Sequence, residues 1–407
     1  MAATAPSAPE PHALLRRIVI GLIGFLTLVD LFAAQAILPT LARMYRVPPS
    51  SMGVAVNAST IGMAMSALVV ALISHRLPRR GGIWVSLALL AIPTTLLAHA
   101  PDLATFTALR IVQGLFMSAA FTLTMAYLSE QNTGAATAGA LAAYITGSVA
   151  SNLVGRLVSS AVASVAGVAI NFYVFAALNL AGAALVFFTL SRTPSMAAAV
   201  GEMRRSAVER IAAHFRNTCL VASFGIGFLV LFAFLGTFTY VNFVLAAKPL
   251  ALKPMALGLV YFVFLPAMVT TPLAGRVTNR FGPRPTFFAS LGLAIAGLPL
   301  LLASTIAPVI AGLTMIGVGT FFAQATATGF VGRAAKTDRA AASGIYLASY
   351  YLGGLAGAAV IGQIYDHLGW PAAVSIVGAS LVAAAGLAAL LRPATAGSRV
   401  QLAAQTA

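Results

Sequence analysis

The chain has 407 residues, of which 60% are hydrophobic and 8% charged, with a mean hydropathy of +0.96. Soluble domains carry about 25% charged side chains, so this composition excludes an ordinary water-soluble fold and points to a bilayer protein. The net charge of +16 does not mark a nucleic-acid surface, because the basic residues are scattered over short loops, and the single cysteine, Cys219, excludes an intrachain disulfide and a cysteine metal cage.

Apolar runs long enough to cross a hydrocarbon core of roughly 30 Å as helices recur along the whole chain. The expected fold is all-α and integral to the membrane, with twelve transmembrane helices. Their spans are 18–41, 52–74, 81–100, 103–128, 137–161, 168–190, 218–246, 256–275, 285–304, 306–331, 341–364 and 370–391. Residues 1–17 read as a polar tail without a cleavable leader. The first six spans make a half over 18–190, residues 191–217 a linker, the last six a second half over 218–391, and 392–407 a tail.

In chain order, the first span holds Asp30 within "TLVDLFAAQAILP", with Gln35 further along. After the second comes the basic turn "HRLPRR", which contains His75, Arg76, Arg79 and Arg80. The fourth carries Arg110 and, one turn on, Gln113 in "LRIVQG"; the fifth carries Arg156 near its outer end, where snorkelling to the interface is the simpler reading. In the linker, Met203, Val208, Ile211 and Phe215 share one side of a possible helix, either lying on the inner leaflet or simply part of a solvated connection. Tyr240 and Asn242 fall in the seventh span and Gln324 in the tenth. The eleventh carries Tyr346, Tyr350 and Tyr351. These groups are candidates for a cavity with aromatic walls and a few hydrogen-bonding groups, although aromatics in membrane helices more often pack or anchor. A second basic turn, "NRFGPR", follows the eighth span with Asn279, Arg280 and Arg284.

Eighteen of the 24 basic residues fall in segments on one side of this arrangement, and the other side keeps only Arg43, Arg46, Lys248 and Lys253. That bias places both termini and the linker in the cytoplasm. The halves also repeat. "HRLPRR" (75–80) matches "NRFGPR" (279–284) at an offset of 204, and "AYITGSVASNLVG" (143–155) matches "IYLASYYLGGLAG" (345–357) at 202. An even number of spans per half gives both the same orientation.

On these motifs the chain resembles the major facilitator superfamily over nearly its whole length. "LRIVQG" matches the family's arginine followed by Gln-Gly, and "GRVTNRFGPR" resembles its cytoplasmic loop motif, of which "SHRLPRR" is a degraded copy. Nearest in character are bacterial twelve-helix proton-coupled efflux permeases of the arabinose-efflux and drug-antiporter type. The resemblance implies alternating-access transport of a drug-like or sugar-like compound across a bacterial inner membrane. It further implies protons as the coupling ion, a monomer in the bilayer, no cofactor, no metal and no nucleic-acid partner. Uptake or facilitated permeation is the alternative direction, and a receptor without flux a remoter one. The chain departs from the family at the loop aspartate, replaced by His75 and Asn279, and in the fifth span, which lacks the antiporters' Gly-Pro pair. Without that acid, the loop arginines are left to helix-end carbonyls or lipid phosphates, or serve orientation alone.

Asp30 lies about 12 residues into its span, roughly 18 Å deep, and Arg110 about 8 residues below the opposite end, roughly 12 Å down. Both reach one level near the middle of the membrane. Arginine cannot discharge, and Asp30 is the acid available at that depth, with Gln35 an alternative acceptor one turn away. Two readings follow: a proton-coupling pair whose separation on rocking favours proton uptake, or a static clip between helices. No nucleotide loop, His-Glu-x-x-His pattern or serine elbow suggests an enzyme.

Overall fold

The computed structural model describes residues 11–73, 77–131, 135–191, 212–335 and 338–391. His75, Arg76, most of the 191–217 linker with its possible surface helix, and the 392–407 tail lie outside them. The long helices are α1 (Leu14–Ala36), α2 (Pro49–Ile73), α3 (Arg79–Leu97), α4 (Leu103–Glu130), α5 (Gly139–Ala166), α6 (Val168–Thr189), α7 (Thr218–Ala246), α8 (Pro254–Phe281), α9 (Pro283–Leu302) and α10 (Ile306–Ala334). A final stretch, Ala341–Ala389, divides at Gly369 (φ 80°, ψ 180°) into α11 (341–368) and α12 (370–389). Glycine tolerates that left-handed φ, and Pro371 starts the next helix. The first helix actually begins at Pro11, inside the stretch expected as a tail.

Prolines decide where the helices break. Pro39 lacks an N–H, so the carbonyl of Gln35 loses its helical donor; α1 stops at Ala36, and a short helix Leu38–Tyr45 continues at a new angle. Pro266 and Pro272 act likewise in α8, which tightens to 3₁₀ turns at Tyr261–Phe264 and Thr271–Leu273. Large apolar residues such as Val165, Phe188, Val269 and Leu368 point outward. In water they would be an aggregation surface; in lipid they need no cover.

The sequence repeat recurs as repeated packing. In the first half, α1 and α5 approach so closely that a Cβ on Gly24 would lie 2.2 Å from the Tyr144 carbonyl oxygen, and one on Gly155 3.2 Å from that of Val29. In the second half, α7 and α11 do the same, with Gly227 against the Tyr346 ring and Gly357 2.3 Å, by the same measure, from the Phe232 carbonyl oxygen. Backbones meet this closely in a bilayer because small residues let them.

The arginine-rich ends of the helices define a basic face, and the opposite ends a far face. At the far face the halves are latched by hydrogen bonds. Asn242 Nδ2 donates to the Gln35 carbonyl freed by Pro39 (3.2 Å), Asn57 Nδ2 to Thr239 Oγ1 (3.0 Å), and Ser50 N, in the first turn of α2, to Asp366 Oδ2 (3.1 Å). Toward the basic face, α11 rests on α2 where Gly344 meets Ala67 and Ala71. The polar seam between the halves is thereby sealed from solvent, with Gln35, Asn57, Asn242 and Arg156 each fully buried.

Candidate functional site

Among the described residues, the buried charged side chains are Asp30, Arg79, Arg110 and Arg156, all in the first half. Arg110 is held by its own motif. Gly114 lets α4 approach α2 so closely that a Cβ there would sit 1.8 Å from the Ser59 carbonyl oxygen. That approach brings the guanidinium onto the α2 backbone at its Asn57–Ser59 break: Nε donates to Val56 O (2.8 Å) and Nη2 to Ser59 Oγ (3.2 Å). Nη1 donates to Gln113 Oε1 (2.7 Å) and Asp30 O (3.2 Å), and Nη2 also to Leu31 O (3.3 Å). Five bonds to fixed acceptors saturate a side chain with five donors.

The expected ion pair between Asp30 and Arg110 is therefore not made. Arg110 reaches the backbone carbonyl of residue 30, while the carboxylate turns away toward α3 and α6. There Oδ2 accepts from Thr94 Oγ1 (2.8 Å) and Asn179 Nδ2 (2.7 Å). Depth along a helix follows from counting residues, but the direction around its axis decides which group meets which. A chain of bonds still links the two, because Gln113 Nε2 donates to Thr94 Oγ1 (2.7 Å).

Gln35 does not serve Arg110 either. Five positions from Asp30, it faces the opposite side of α1, toward the seam, and its Oε1 accepts from Arg156 Nη2 while its Nε2 donates to Asn57 Oδ1 (2.6 Å). Arg156 does not snorkel. It is wholly buried between the halves, with its guanidinium carbon 4.2 Å from the Tyr261 ring centre, 5.3 Å from Phe32, 5.4 Å from Phe264 and 5.9 Å from Phe238. Four π faces can stabilise a cation, yet Nε and Nη1 have no hydrogen-bond acceptor. Tyr261 Oη donates to Asn242 Oδ1 (2.5 Å), which completes a polar cluster shared by α1, α2, α5, α7 and α8.

The other candidates spread more widely. Tyr240 lies between α2 and α11, against Gly53 and Gly362, and donates to Ala358 O (2.5 Å). Tyr346 packs into the second half over Gly227 and stacks on Tyr350 at 6.1 Å; Gln324 is half-buried on α10, away from the Arg156 cluster. On the basic face, Arg79 finds an acid after all: Nε and Nη2 chelate the Glu130 carboxylate at the end of α4, with Nη2 2.6 Å from Oε1. This corrects the expectation that the loop arginines lack a carboxylate partner. Arg80 donates to the Phe187 carbonyl in the last turn of α6 and lies over the Phe187 ring (4.8 Å). Asn279 and Arg280 are exposed, and Arg284 is half-buried beside Arg216 in a cavity of about 720 Å³ at the basic ends of α7, α9 and α12.

Sequence reasoning missed Thr94, Asn57, Asn179 and Tyr261. The two asparagines are visible in the sequence as lone amides within apolar spans.

A family model described as Major Facilitator Superfamily matches residues 20–264 and 228–407. The uncharacterized MFS-type transporter YybF of Bacillus subtilis (strain 168) is 24% identical over 368 residues, 90% of this chain and 91% of that protein. The inner membrane transport protein YnfM of Escherichia coli (strain K12) is 26% identical over 370 residues, 89% of this chain and 86% of that protein. Among solved structures, a bacterial homolog of the human lysosomal transporter Spinster, in an inward-facing and unoccupied conformation, has a TM-score of 0.71. It covers 94% of this chain and 96% of its own at 13% identity, a likeness of fold. With twelve long helices among its described residues, in two repeated halves, and a family match over nearly its full length, the chain belongs to the major facilitator superfamily of membrane transporters.

Proposed function

We propose that the chain is a secondary transporter that exports a small molecule by alternating access and takes up protons in exchange, with Asp30 as the proton site. The observation that carries this reading is a carboxylate only 3% exposed, deep in the first half, held by a hydroxyl and an amide and by no cation within ion-pair distance. An ionisable group at that depth makes insertion less favourable by about 3 kcal/mol, which favours a working role over a decorative one.

Its partners suit both protonation states. Thr94 has one hydroxyl proton and two acceptors in reach, Asp30 Oδ2 and Leu90 O (both 2.8 Å). With Asp30 ionised, the hydroxyl donates to the carboxylate. With Asp30 protonated, the acid donates to Thr94 Oγ1 and the hydroxyl turns to Leu90 O. Asn179 Oδ1, now without a partner, offers a second acceptor after an amide flip. Opening the seam displaces α1 through Phe32 and Gln35 and carries Asp30 with it, which couples the gate to the proton.

Export, rather than uptake, rests on the likeness of the helix-four and basic-loop motifs to those of efflux permeases, as does the expectation of a drug-like or sugar-like solute. The basic bias supports cytoplasmic termini in a bacterial inner membrane. The test is flux into liposomes holding the purified full chain under an imposed pH gradient, with a panel of amphiphilic drugs, sugars and aromatic acids. Wild type should accumulate at least one solute in a gradient-dependent way. Asp30→Asn, which imitates the protonated acid, should insert and fold yet lose the response to the gradient. Full gradient dependence per folded molecule of Asp30→Asn would remove Asp30 from the role.

A further inference from the structure

We infer that Arg156 anchors an anionic group of the transported solute, so that the substrate is an organic anion with a flat apolar body. The inference rests on the transport reading above but not on proton coupling.

Arg156 is a permanent cation sealed in a seam that must open and close in every cycle. Its one aligned hydrogen bond goes to the Gln35 amide, a neutral acceptor; the neutral Tyr261 hydroxyl lies close enough to interact with it, and Nε and Nη1, which carry three N–H bonds, have no aligned acceptor. Among the described residues the one ion pair is Arg79–Glu130, so no protein carboxylate neutralises Arg156. Buried charges are paired or hydrogen-bonded because leaving them otherwise is costly. Each two-pronged edge of the guanidinium pairs Nη2 with Nε or with Nη1, so a carboxylate or similar oxyanion that bonds the open Nε or Nη1 takes its second bond from Nη2, beside or in place of the Gln35 amide. The rings of Phe32, Tyr261 and Phe264 around it supply apolar faces for the rest of the solute.

The surroundings lead an anion to the same place. On the far face, between the halves, lies a cavity of about 870 Å³ with Arg43 on its wall and no acid among its described lining residues. Ser160, also in that lining, is one helical turn from Arg156, and its buried hydroxyl has no hydrogen-bond partner. Across from it, Gly258 keeps α8 against α5; a Cβ there would lie 2.7 Å from the Ser160 Cβ. An unpartnered hydroxyl in the cavity lining thus stands one helical turn from two guanidinium nitrogens without an acceptor, and Arg43 adds positive potential on the cavity wall. Tyr261 and Phe264 stand on the 3₁₀ turn of α8, the break that lets them swing off the guanidinium when the seam opens.

The test is binding to the purified full chain in detergent, with no membrane and no gradient, read as the shift of the thermal unfolding midpoint. Benzoate, phenylacetate and salicylate serve as probes, with benzamide and benzylamine as neutral and cationic counterparts. At least one carboxylate should raise the midpoint saturably, and the amide and amine should not. Arg156→Gln should weaken that carboxylate by about tenfold or more, the loss of charge-assisted bonds. Should Arg156→Gln fail to fold, Arg156→Lys keeps the charge but not the fork and should weaken it by about three- to tenfold, and unchanged binding by this variant alone then overturns the inference. The inference is overturned if no carboxylate shifts the midpoint, if benzamide or benzylamine shifts it equally, or if both arginine variants bind as wild type does. Gradient-driven flux of a neutral or cationic solute, with no carboxylate binding, would sink the anion assignment and leave the transport reading standing. Carboxylate binding in a chain whose flux ignores the pH gradient would leave the anion assignment and transport standing and remove only the proton coupling.

Discussion

Arg110 and Arg156 are both fully buried arginines of the first half, and they are held in opposite ways. Arg110 spends its five donors on fixed acceptors, three of them backbone carbonyls of α1 and α2. Arg156 has one amide acceptor, four aromatic rings and two nitrogens, Nε and Nη1, without an aligned acceptor. The difference separates architecture from readiness: a saturated cation joins helices, whereas an unsaturated one in a seam is poised to accept something that arrives.

The largest expected effect breaks that contrast if it fails. Arg110→Ala strips five bonds and leaves buried carbonyls bare, and should destabilise the chain by about 3–5 kcal/mol in a denaturant titration, with or without ligand. Arg156→Met replaces a poorly paired charge by an apolar side chain among rings and should stay within about 1 kcal/mol of wild type while losing benzoate binding. Equal losses from the two substitutions would mean that both arginines are structural.

A smaller effect sharpens the account of how Arg110 is seated. Gly114→Ala puts a methyl group 1.8 Å from the Ser59 carbonyl oxygen, so α4 must back away from α2. A loss of about 1–3 kcal/mol is expected from overpacking. Restored stability on combining Gly114→Ala with Arg110→Ala, relative to the sum of the single losses, would show that the glycine works through the guanidinium.

Smaller still is the far-face latch above Arg156. Asp366→Ala removes the carboxylate from the N-terminus of α2, worth about 0.3–1 kcal/mol for a charge at a helix end. The population open toward the far face should rise by a few-fold on that scale. Alkylation of a cysteine introduced at Ser160, in a Cys219→Ser background, reads this directly; an unchanged rate means that the latch does not control access.

The smallest effect concerns an exposed acid satisfied in the same manner as Arg110. Asp102 caps α4, with Oδ1 accepting from Thr105 N at 2.7 Å, and that backbone N–H holds its pKa below the ordinary aspartate value. The folded-state pKa is depressed, so its contribution is present above the unfolded value of about 3.9 and is lost as pH falls through the folded value. The protection of first-turn amides of α4, relative to their intrinsic exchange rate at each pH, should fall below about pH 4, and Asp102→Asn should remove that acid-side change.

Much of this architecture was legible in the sequence because a bilayer leaves few choices. Long apolar runs must be helices, and the spacing of "LRIVQG" puts Arg110, Gln113 and Gly114 on neighbouring turns of one helix. The repeat between residues 143–155 and 345–357 reappears as matched glycine contacts. What stayed hidden depends on rotation about helix axes and on breaks. Asp30 and Arg110 share a level but not a direction. Arg156 sits where a lipid-facing arginine would snorkel, yet its face of α5 looks inward. Pro39 was plain to see, but the carbonyl it frees and the Asn242 that takes it lie 207 residues apart.

Asp30 is also the one buried carboxylate among the described residues, and that bears on energetics. If a monovalent anion leaves while this single acid brings one proton in, each turnover carries two positive charges inward. The membrane potential then drives export directly, by about 4.6 kcal/mol at 100 mV, enough for a solute gradient of roughly three decades without any pH difference. A transporter of this kind would be a current source, and a capacitively recorded charge of two per exported anion is its electrical signature.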